Sequence, residues 1–583
     1  MYSLKNIENE LSNRSKSEKS ANRLLVDYYR IRRRVLFDLP VKELHKIDFS
    51  IRGFDAEYPW AIWFIWRLEK RFETLAYDSV INSDIESKEI LHKELEAFAD
   101  WKSYRQYFTK GDLCSGHCGR MLFHAYYDWG LDAPLLNKIK DGCNKLIETS
   151  LPILEKQFGF IETADSILEN EEKFHSLHNI GFINCVGMLL CLDVVGHEMK
   201  SIWLNRVSAM VEALYGLNEK TGFCEGVAYD GYLFDFILEA FRILPKSDRS
   251  EFLSHAFIKN LINQNIFLSA PGDLGRVAEI GDVESDNMKY HISCMVKFAG
   301  QLNDSQLNWY IKNMAMNQFS SESLGLIYQN NLLKKSSVEP IDCVMRLPAT
   351  LTLRSDWSDD GIAVATSACL SSAGHIQKDA GTILIGAKEK WLIDDPGYQQ
   401  YMGTSEREFT LSETAHNFPV INNEGQASKS VEIIDVCNLD KKVELDLTNC
   451  YSEELKLKSV TRKIMIVDQS SVVVVDRVLG DAVNSVKYHW HGHPDAGWFV
   501  ENGWAVVGFE DSNLWFRCLN SNVESKNIHR LKGSRGLQTL IHELKKPVEN
   551  IIWLFSKDEN SIKNIPVVEK NILKWGSLEI DCN

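Results

Sequence analysis

The chain has 583 residues, of which 44% are hydrophobic and 25% are charged, and its formal net charge is −16. This length predicts roughly two to four domains, because one hydrophobic core rarely serves so many residues. The negative charge argues against general nucleic-acid binding, since phosphates are repelled at long range. An acidic polysaccharide would be repelled as well, unless it entered a locally basic or neutral cleft.

The N-terminal segment MYSLKNIENELSNRSKSEKSANR is polar, and the chain contains no run of about 18 apolar residues. No signal peptide and no membrane span are therefore predicted. The 13 cysteines are scattered, and the tightest spacing, Cys114-x3-Cys118, has no matching second pair. We expect buried free thiols and a cytoplasmic protein, or a periplasmic or secreted one if a signal peptide was removed.

The first part of the chain predicts α-helices to about residue 330. Apolar residues recur there at i, i+3, i+4 and i+7 in SANRLLVDYYRIRRRVLF, DAEYPWAIWFIWRLEKRFETLAYD, LLNKIKDGCNKLIETSLPILEKQF and KSIWLNRVSAMVEALYGL. No repeat of fixed period is present. The regular succession of helices predicts paired helices stacked in an (α/α) solenoid or incomplete toroid.

Beyond about residue 340 the sequence predicts β-strands. Short runs rich in Val, Ile and Thr, such as ATLTLRSD, DGIAVATSACL, SVVVVDRVL and NIIWLF, are separated by Gly, Asp and Asn. Many strands without intervening helices predict antiparallel sheets in a layered sandwich. We therefore predict an α+β protein with a helical domain at 1–335, a sheet domain at 336–583 and a boundary near 332–345.

Two segments of the helical part break the local pattern. FHSLHNIGFINCVGML crowds polar residues at the start of an apolar helix: His175, His178, Asn179 and Asn184. Helix capping by Asn179 would account for part of this pattern. GFCEGVAYDGYLFDF places Glu225 and Tyr229 in a Gly-punctuated loop before a helix, where aromatic side chains also commonly cover the core.

Two further segments in the sheet part are rich in polar residues. The first surrounds two strand ends with His375, Gln377, Asp379, Asp395 and Tyr401. Ordinary surface turns also favour Asp, Pro and Gly, so they remain an alternative. The second is ETAHNFPVINNEGQ, in which His416-Asn417 precedes a strand.

A histidine-rich strand and a tryptophan-rich helix offer other kinds of site. His489, His491 and His493 alternate along one strand and therefore share a face, where they could bind metal, although no carboxylate stands at a diagnostic spacing. Four tryptophans near the N-terminus could stack on sugars, although PWAIWFIW is typical of a buried helix. They are Trp60, Trp63, Trp66 and Trp101.

From about residue 50 to 560 the sequence resembles the heparinase II/III-like polysaccharide lyases and, more distantly, alginate lyases. The resemblance rests on His178-Asn179, on the E-G-x-x-Y segment Glu225–Tyr229, and on the loop from Gly374 to Gly381. It continues with Asp395-Pro396-Gly397, Tyr401 and the T-A-H-N segment Thr414–Asn417. These motifs keep one order across the change from helices to strands.

The resemblance implies a toroid of paired helices, stacked antiparallel sheets and β-elimination on heparin-like glycosaminoglycans or alginate-like uronates. It also implies a structural divalent metal, Zn or Mn, held by residues matching Gln377, Asp395 and His416, although the chemistry itself requires no cofactor. Gln377 stands where the family usually has a histidine, and glutamine is a weaker zinc ligand. Ile180 follows Asn179 where some relatives carry a catalytic histidine.

Elimination requires removal of the uronate C5 proton after the charge of the neighbouring carboxylate has been neutralised. By resemblance, Asn179 neutralises that charge, Tyr229 acts as base and acid, and His375 neutralises or assists as base. Residues predicted to contact or orient substrate are His178, Glu225, Tyr401, Arg407 and His416.

The predicted partner is an acidic polysaccharide or oligosaccharide, with neither nucleic acid nor membrane. One alternative is a glycoside hydrolase that uses two carboxylates from among Glu225, Asp230 and Asp112. Another is a non-catalytic carbohydrate-binding protein. The sequence predicts neither the oligomeric state nor the choice among heparan sulfate, hyaluronan, chondroitin and alginate.

Overall fold

The structure is a computed structural model. It describes residues 60–81, 83–101, 104, 113–283, 288–315, 318–368, 375, 377–397, 405–427, 431–501, 503–509, 512–520, 524–532, 535–545, 549–559, 563, 566–575 and 578–582. Tyr401, Asp112 and the predicted helix at 20–37 lie outside them.

Spatial contacts group the chain into two compact units. The first unit contains residues 1–218, 231–258 and 289–337, and the second contains 219–230, 259–288 and 338–583. Residues 219–230 and 259–288, from the mainly helical part of the chain, thus group with the sheet-forming part in the second unit. The predicted domain boundary near 332–345 is not tested by this grouping and stays a prediction.

The N-terminal half consists of helices joined by short connections. They are α1 (Trp60–Ile81), α2 (Ile85–Ala99), α3 (Cys114–Tyr127), α4 (Ala133–Phe158), the short helix Asp165–Leu168, a 3-10 helix (Glu171–Leu177), α5 (Asn179–Val195), α6 (Lys200–Thr221), α7 (Val227–Phe241), α8 (Lys246–Ser254), α9 (Ala256–Phe267), α10 (Met288–Gln301), α11 (Ser305–Asn313) and α12 (Ser321–Gln329). Side chains of Asp84, Asp132 and Asp304 accept backbone N–H groups at three of the starts. None of the described helices is by itself long and apolar enough to span a membrane. The 3-10 helix and α5 reach the required length and hydropathy only when they are taken together, and the pair is bent by 57° at the break between them.

The first unit buries charged side chains in its core. Arg120 donates to both carboxylate oxygens of Glu69, each at 2.8 Å, and its Nη1 lies 2.5 Å from Asp235 Oδ2. Lys297 Nζ lies 2.9 Å from Asp235 Oδ1 and 2.7 Å from Glu239 Oε1. Buried charges are tolerated when each has such partners, so these pairs explain why the interior can hold them.

The second unit is built from antiparallel sheets. The strands are β1 (Ser269–Ala270), β2 (Asp273–Val277), β3 (Val344–Arg346), β4 (Thr350–Arg354), β5 (Ile362–Ser367), β6 (Ile383–Ala387), β7 (Lys390–Ile393), β8 (Val420–Ile421), β9 (Glu432–Cys437), β10 (Lys442–Asp446), β11 (Leu457–Ile466), β12 (Ser471–Gly480), β13 (Ser485–His491), β14 (Gly497–Glu501), β15 (Trp504–Phe509), β16 (Ser512–Cys518), β17 (Glu524–Lys532), β18 (Arg535–Lys545), β19 (Asn550–Ser556), β20 (Val567–Glu569), β21 (Ile572–Trp575) and β22 (Leu578–Asp581). A short helix, α13 (Ser405–Thr410), follows β7.

The largest sheet has the order β14-β15-β16-β19-β12-β11-β10-β9. A five-stranded sheet runs β3-β4-β5-β6-β7, a four-stranded sheet runs β17-β18-β13-β8, and two small sheets run β20-β21-β22 and β1-β2. An isolated bridge between Ile393 and Gly492 links the five-stranded and four-stranded sheets.

Strand β12 shows how these sheets form layers. Val472 and Val474 belong to a large core shared with the four-stranded and five-stranded sheets. Val473 and Val475 belong to a second core shared with β21. Because successive side chains point to opposite faces, the uninterrupted run SVVVVD reflects a sheet covered on both sides.

A buried guanidinium joins the layers of the second unit. Arg462 on β11 is 0% exposed and pairs with Asp476 on β12 through two bonds of 2.6 and 2.8 Å. Its Nη1 also donates to the carbonyl oxygens of Gly381 and Asn417, at 2.5 and 2.8 Å. Tyr488 of the four-stranded sheet donates to Asp476 at 2.9 Å.

The predicted fold class, N-terminal helices followed by layered antiparallel sheets, is confirmed by these elements. Closure of the helices into a toroid stays a prediction. Trp66 and Trp101 are buried, as expected for core rather than sugar-stacking side chains, and the side chains of Trp60 and Trp63 lie outside the described residues. The 12 described cysteines are free thiols, most of them buried.

Removal of Asp476 is expected to leave the buried charge of Arg462 without its ion-pair partner. Asp476→Ala should lower the free energy of unfolding by about 3–5 kcal/mol, because an unpaired buried charge has no compensating partner. Chemical denaturation measures this difference. The control is Asp481→Ala, which removes the exposed partner of Lys458 and should cost less than about 1 kcal/mol. Equal losses in the two variants would contradict the stabilising role of Arg462–Asp476.

Candidate active site

Tyr229 is held in place by the turn that begins helix α7. Gly226 has φ of 102°, a conformation that favours glycine, so the chain can reverse there before the helix starts at Val227. The carboxylate of Asp230 then accepts the backbone N–H of Glu225 at 2.7 Å and fixes the loop. Tyr229 is buried, with 3% of its surface exposed.

His375 lies flat against the ring of Tyr229. The two ring centroids are 3.7 Å apart and the rings are inclined by only 5°. Both residues belong to the second unit, although 146 positions separate them in the sequence. The structure thus brings together a phenol and an imidazole that were predicted from two different motifs.

Both nitrogens of the His375 ring face carboxylate oxygens. Its Nε2 lies 3.3 Å from Glu225 Oε2, and its Nδ1 lies 3.3 Å from Asp282 Oδ2. Glu225 is fully buried, whereas 14% of the His375 side chain is exposed. The imidazole is therefore bracketed between two acids while one of its faces covers Tyr229.

Asp282 connects several groups around His375. Its Oδ1 accepts a hydrogen bond of 2.6 Å from Gln377 Nε2 and lies 3.6 Å from Arg407 Nη1. Its backbone N–H donates to the carbonyl oxygen of His375 at 2.8 Å. We call Glu225, Tyr229, Asp282, His375, Gln377 and Arg407 the His375 cluster.

The sequence motifs contain five members of the His375 cluster, and Asp282 lies outside all of them. That residue stands in the stretch EIGDVESD, between helices α9 and α10. Four acidic residues in eight positions form an unusual connection, and this local excess of charge was the available signal. Nothing in their spacing, however, connects them with a histidine 93 residues further on.

The polar residues predicted in the segment FHSLHNIGFINCVGML lie in the first unit. Asn179 is the first residue of α5 and is buried, and His178 occupies the capping position without a side-chain capping bond. The structure thus does not show the expected capping by Asn179. Asn184 accepts from Ser115 Oγ at 2.6 Å, which indicates a packing role, and His175 lies on the exposed side of the 3-10 helix.

The predicted metal ligands Gln377, Asp395 and His416 are all buried in the second unit. His416 Nδ1 lies 2.9 Å from Asp395 Oδ2, and Asp395 Oδ1 accepts the backbone N–H of Gly397 at 2.8 Å. Asp395 thereby orients the imidazole. His416 Nε2 and Gln377 Oε1 are buried and have no hydrogen-bond partner among the described residues.

An imidazole fixed by a carboxylate, with its second nitrogen bare, is the usual arrangement of a metal-binding histidine. His416 and Gln377 therefore fit a structural cation in the type of atom they offer, and the ion itself stays a prediction. Burial alone would lower the pKa of His416, but Asp395, Asp379 and Asp282 raise it. This local negative charge favours either a proton or a bound cation.

Two other groups of possible metal ligands already have partners. His491 Nδ1 lies 2.8 Å from Thr539 Oγ1, and His493 Nε2 lies 3.2 Å from Arg276 Nη1, so the histidine-rich strand forms internal contacts. Within the described ranges, His124, Glu239 and Glu322 converge in the first unit. There Lys297 Nζ already lies within 3.4 Å of both carboxylates.

One known family model matches part of the sheet-forming half of the chain. Residues 356–565 match the model of the heparinase II/III-like C-terminal domain. The chain carries a heparinase II/III-like C-terminal domain. This finding confirms the resemblance drawn from the sequence motifs, and the matched range includes His375, Gln377, Asp395, Arg407 and His416 of this domain.

Solved structures extend the likeness over most of the chain. The crystal structure of heparinase III aligns with a TM-score of 0.59 at 13% identity, covering 88% of this chain and 82% of that chain. The heparan sulfate lyase HepC from Pedobacter heparinus aligns with a TM-score of 0.54 at 13% identity, covering 89% and 83%. At this identity the likeness shows the shared fold. No curated protein matches the sequence.

Asp230 should make stability depend on pH. Burial raises its pKa from 3.8 to about 7, and the charge of Glu225 contributes in the same direction. Between about pH 4 and pH 7 the folded state therefore binds more protons than the unfolded state, so the free energy of unfolding falls as the pH rises. Asp230→Asn cannot ionise and keeps an acceptor for the Glu225 N–H, so we expect a flatter profile over this range.

Chemical denaturation at several pH values measures that slope. The matched control is Asp248→Asn, which changes an exposed carboxylate in the first turn of α8 and should leave the wild-type slope intact. An unchanged slope in Asp230→Asn would show that Asp230 does not titrate in this range.

Proposed function

We propose that this protein is a polysaccharide lyase that cleaves uronate-containing polysaccharides by β-elimination. The stacking of Tyr229 on His375 at 3.7 Å, beside two buried carboxylates, is the observation that carries the proposal. It supplies a phenol for proton transfer and an imidazole for a sugar carboxylate within one cluster. The heparinase II/III-like C-terminal domain supports the same chemistry, because members of that family are polysaccharide lyases.

In the proposed reaction the ionised oxygen of Tyr229 takes the C5 proton of the uronate. The electrons of the C5–H bond form a C4=C5 double bond, and the C4–O4 bond breaks. Tyr229 then returns its proton to the departing O4 oxygen, so one residue serves as base and acid. The products are an unsaturated uronate and a chain with a free hydroxyl group.

We assign His375 to neutralisation of the substrate carboxylate and not to proton abstraction. Both of its ring nitrogens face carboxylate oxygens at 3.3 Å, so neither is presented as a bare lone pair. To neutralise the substrate, Nε2 has to exchange Glu225 for the sugar carboxylate while Nδ1 stays on Asp282. The N–H of Nε2 then stabilises the charge that develops after loss of the C5 proton. Asn179 keeps the neutralising role that its motif implies, which Asn179→Asp would test by replacing a donor with a charge.

Tyr229→Phe and His375→Ala should each abolish formation of the unsaturated product. The first removes the proton-transferring oxygen, and the second removes the donor to the carboxylate. The measurement is the ultraviolet absorbance of the conjugated product with purified protein and a panel of heparan sulfate, hyaluronan, chondroitin and alginate. Full activity in Tyr229→Phe would rule out the assignment of Tyr229.

The chain contains a matched control for both substitutions. Tyr215 stacks on His255 in the first unit, with ring centroids 4.0 Å apart and an inclination of 8°. Tyr215→Phe and His255→Ala perturb a similar ring pair outside the His375 cluster and should leave elimination intact. Mass spectrometry of the products separates elimination from hydrolysis, because hydrolysis adds one water to each cleaved bond.

The charges of the His375 cluster favour substrates with few sulfate groups. Sulfates are bound best by the forked donors of arginine, or by lysine. Arg407 is the only guanidinium among the cluster's described side chains, and it already lies 3.6 Å from Asp282 Oδ1. Glu225 and Asp282 add two carboxylates that repel further anions.

Unsulfated chondroitin should accordingly be cleaved with a kcat/KM at least about tenfold above that of chondroitin sulfate, a difference of about 1.4 kcal/mol in transition-state binding. The two polymers share one backbone, so sulfation is the variable. Initial rates at several substrate concentrations and at constant ionic strength give the comparison. Preferential cleavage of the sulfated polymer would exclude this substrate preference and leave the elimination mechanism standing.

A further inference from the structure

Asp282 is the residue on which the His375 cluster converges. Its side chain contacts the His375 ring, the Gln377 amide and the Arg407 guanidinium, and its backbone N–H binds the carbonyl oxygen of His375. The residue is buried, with 8% of its surface exposed. It therefore holds both the main chain and the side chain of His375 from one position.

The three groups that Asp282 contacts come from separate pieces of the chain. His375 and Gln377 precede β6, Arg407 lies on α13, and Asp282 itself follows β2. No backbone hydrogen-bond ladder of a sheet links Asp282 to these groups. The carboxylate, with two oxygens and several lone pairs, is suited to accept donors from different directions at once.

We propose that Asp282 is the positioning residue that fixes the ring of His375 for the elimination reaction. Without an acceptor at Nδ1, the imidazole could turn about its side-chain bonds and leave the plane parallel to Tyr229. Asp282 on one edge and Glu225 on the other hold the ring in that plane. This role rests on the proposed function, because Asp282 holds the His375 ring in the orientation that the elimination requires.

The role requires a carboxylate at position 282. An asparagine would offer one acceptor oxygen and one N–H2 donor. If that donor faced Gln377 Nε2 and Arg407 Nη1, donors would meet donors. If it faced the Nδ1 edge of His375, the ring could keep that contact only by giving up its Nδ1 proton. Asp282→Asn should therefore leave the fold in place but disturb the position or the proton of the imidazole.

We expect Asp282→Asn to lower kcat by about 100-fold, the effect of misplacing a reacting group by about 1 Å. KM should not rise by more than about threefold, because Asp282 positions His375 and its lost charge can only weaken the repulsion of an anionic chain. Asp282→Glu keeps both oxygens but moves them by one methylene, so its kcat should fall between those of the wild type and Asp282→Asn. The substrate is the panel polysaccharide that the wild-type protein cleaves fastest.

Asp273→Asn is the matched control, since Asp273 lies on β2 in the same segment and pairs with Arg276 at 3.5 Å. It should keep the wild-type kcat. Thermal unfolding and metal content are measured for every variant, so that a general loss of structure or of a bound ion is seen directly. A second readout is the affinity for the same polysaccharide in a Tyr229→Phe background, which Asp282→Glu should leave unchanged because it keeps the charge.

The outcomes separate the two proposals. If the wild-type protein cleaves none of the polysaccharides, the proposed function fails and the positioning role falls with it. If the wild type is active and Asp282→Asn keeps its kcat, the positioning role is overturned and the function stands. Should Asp282→Asn fail to fold, Asp282→Glu decides, because a wild-type kcat in that variant excludes precise positioning by the carboxylate.

Discussion

The second unit depends on a guanidinium buried where three sheets and two loops meet. Arg462 pairs with Asp476 within the eight-stranded sheet and donates to the carbonyl oxygens of Gly381 and Asn417. Those two carbonyls belong to the connections that carry His375 and His416. A charge in this position is stable only while every partner is present, so the sheet core and the loops of the candidate site are energetically coupled.

The candidate site uses that rigid base to support residues from distant parts of the sequence. Segment 219–230 brings Glu225 and Tyr229 into the second unit, and segment 259–288 brings Asp282. The sheet part supplies His375, and the ring of that residue contacts all three. A reactive geometry that draws on three separate segments needs a scaffold with little freedom, because small displacements are costly to catalysis.

Local patterns in the sequence were sufficient to predict whether a segment forms a helix or a strand. The change from a helical period to short β-rich runs predicted the order of the fold, and the Gly226 turn before Tyr229 was visible as a Gly-punctuated loop. The doubly covered strands β12 and β19 were recognised as strands because of their composition. The burial of both faces of these strands was not predicted, because only the neighbouring sheets decide which face meets water.

The sequence by itself determined which residue types were available: a tyrosine after E-G, a histidine in a glycine-rich loop, and a glutamine in place of a second histidine. Residue type and order along the chain are properties of the sequence itself, so they are known before the chain folds. Only the tertiary structure decided that Asp282 meets His375, that Asp395 orients His416, and that Asn184 is a packing residue. Contacts between residues far apart in the chain arise from packing and carry no local signature, so spacing could not reveal them.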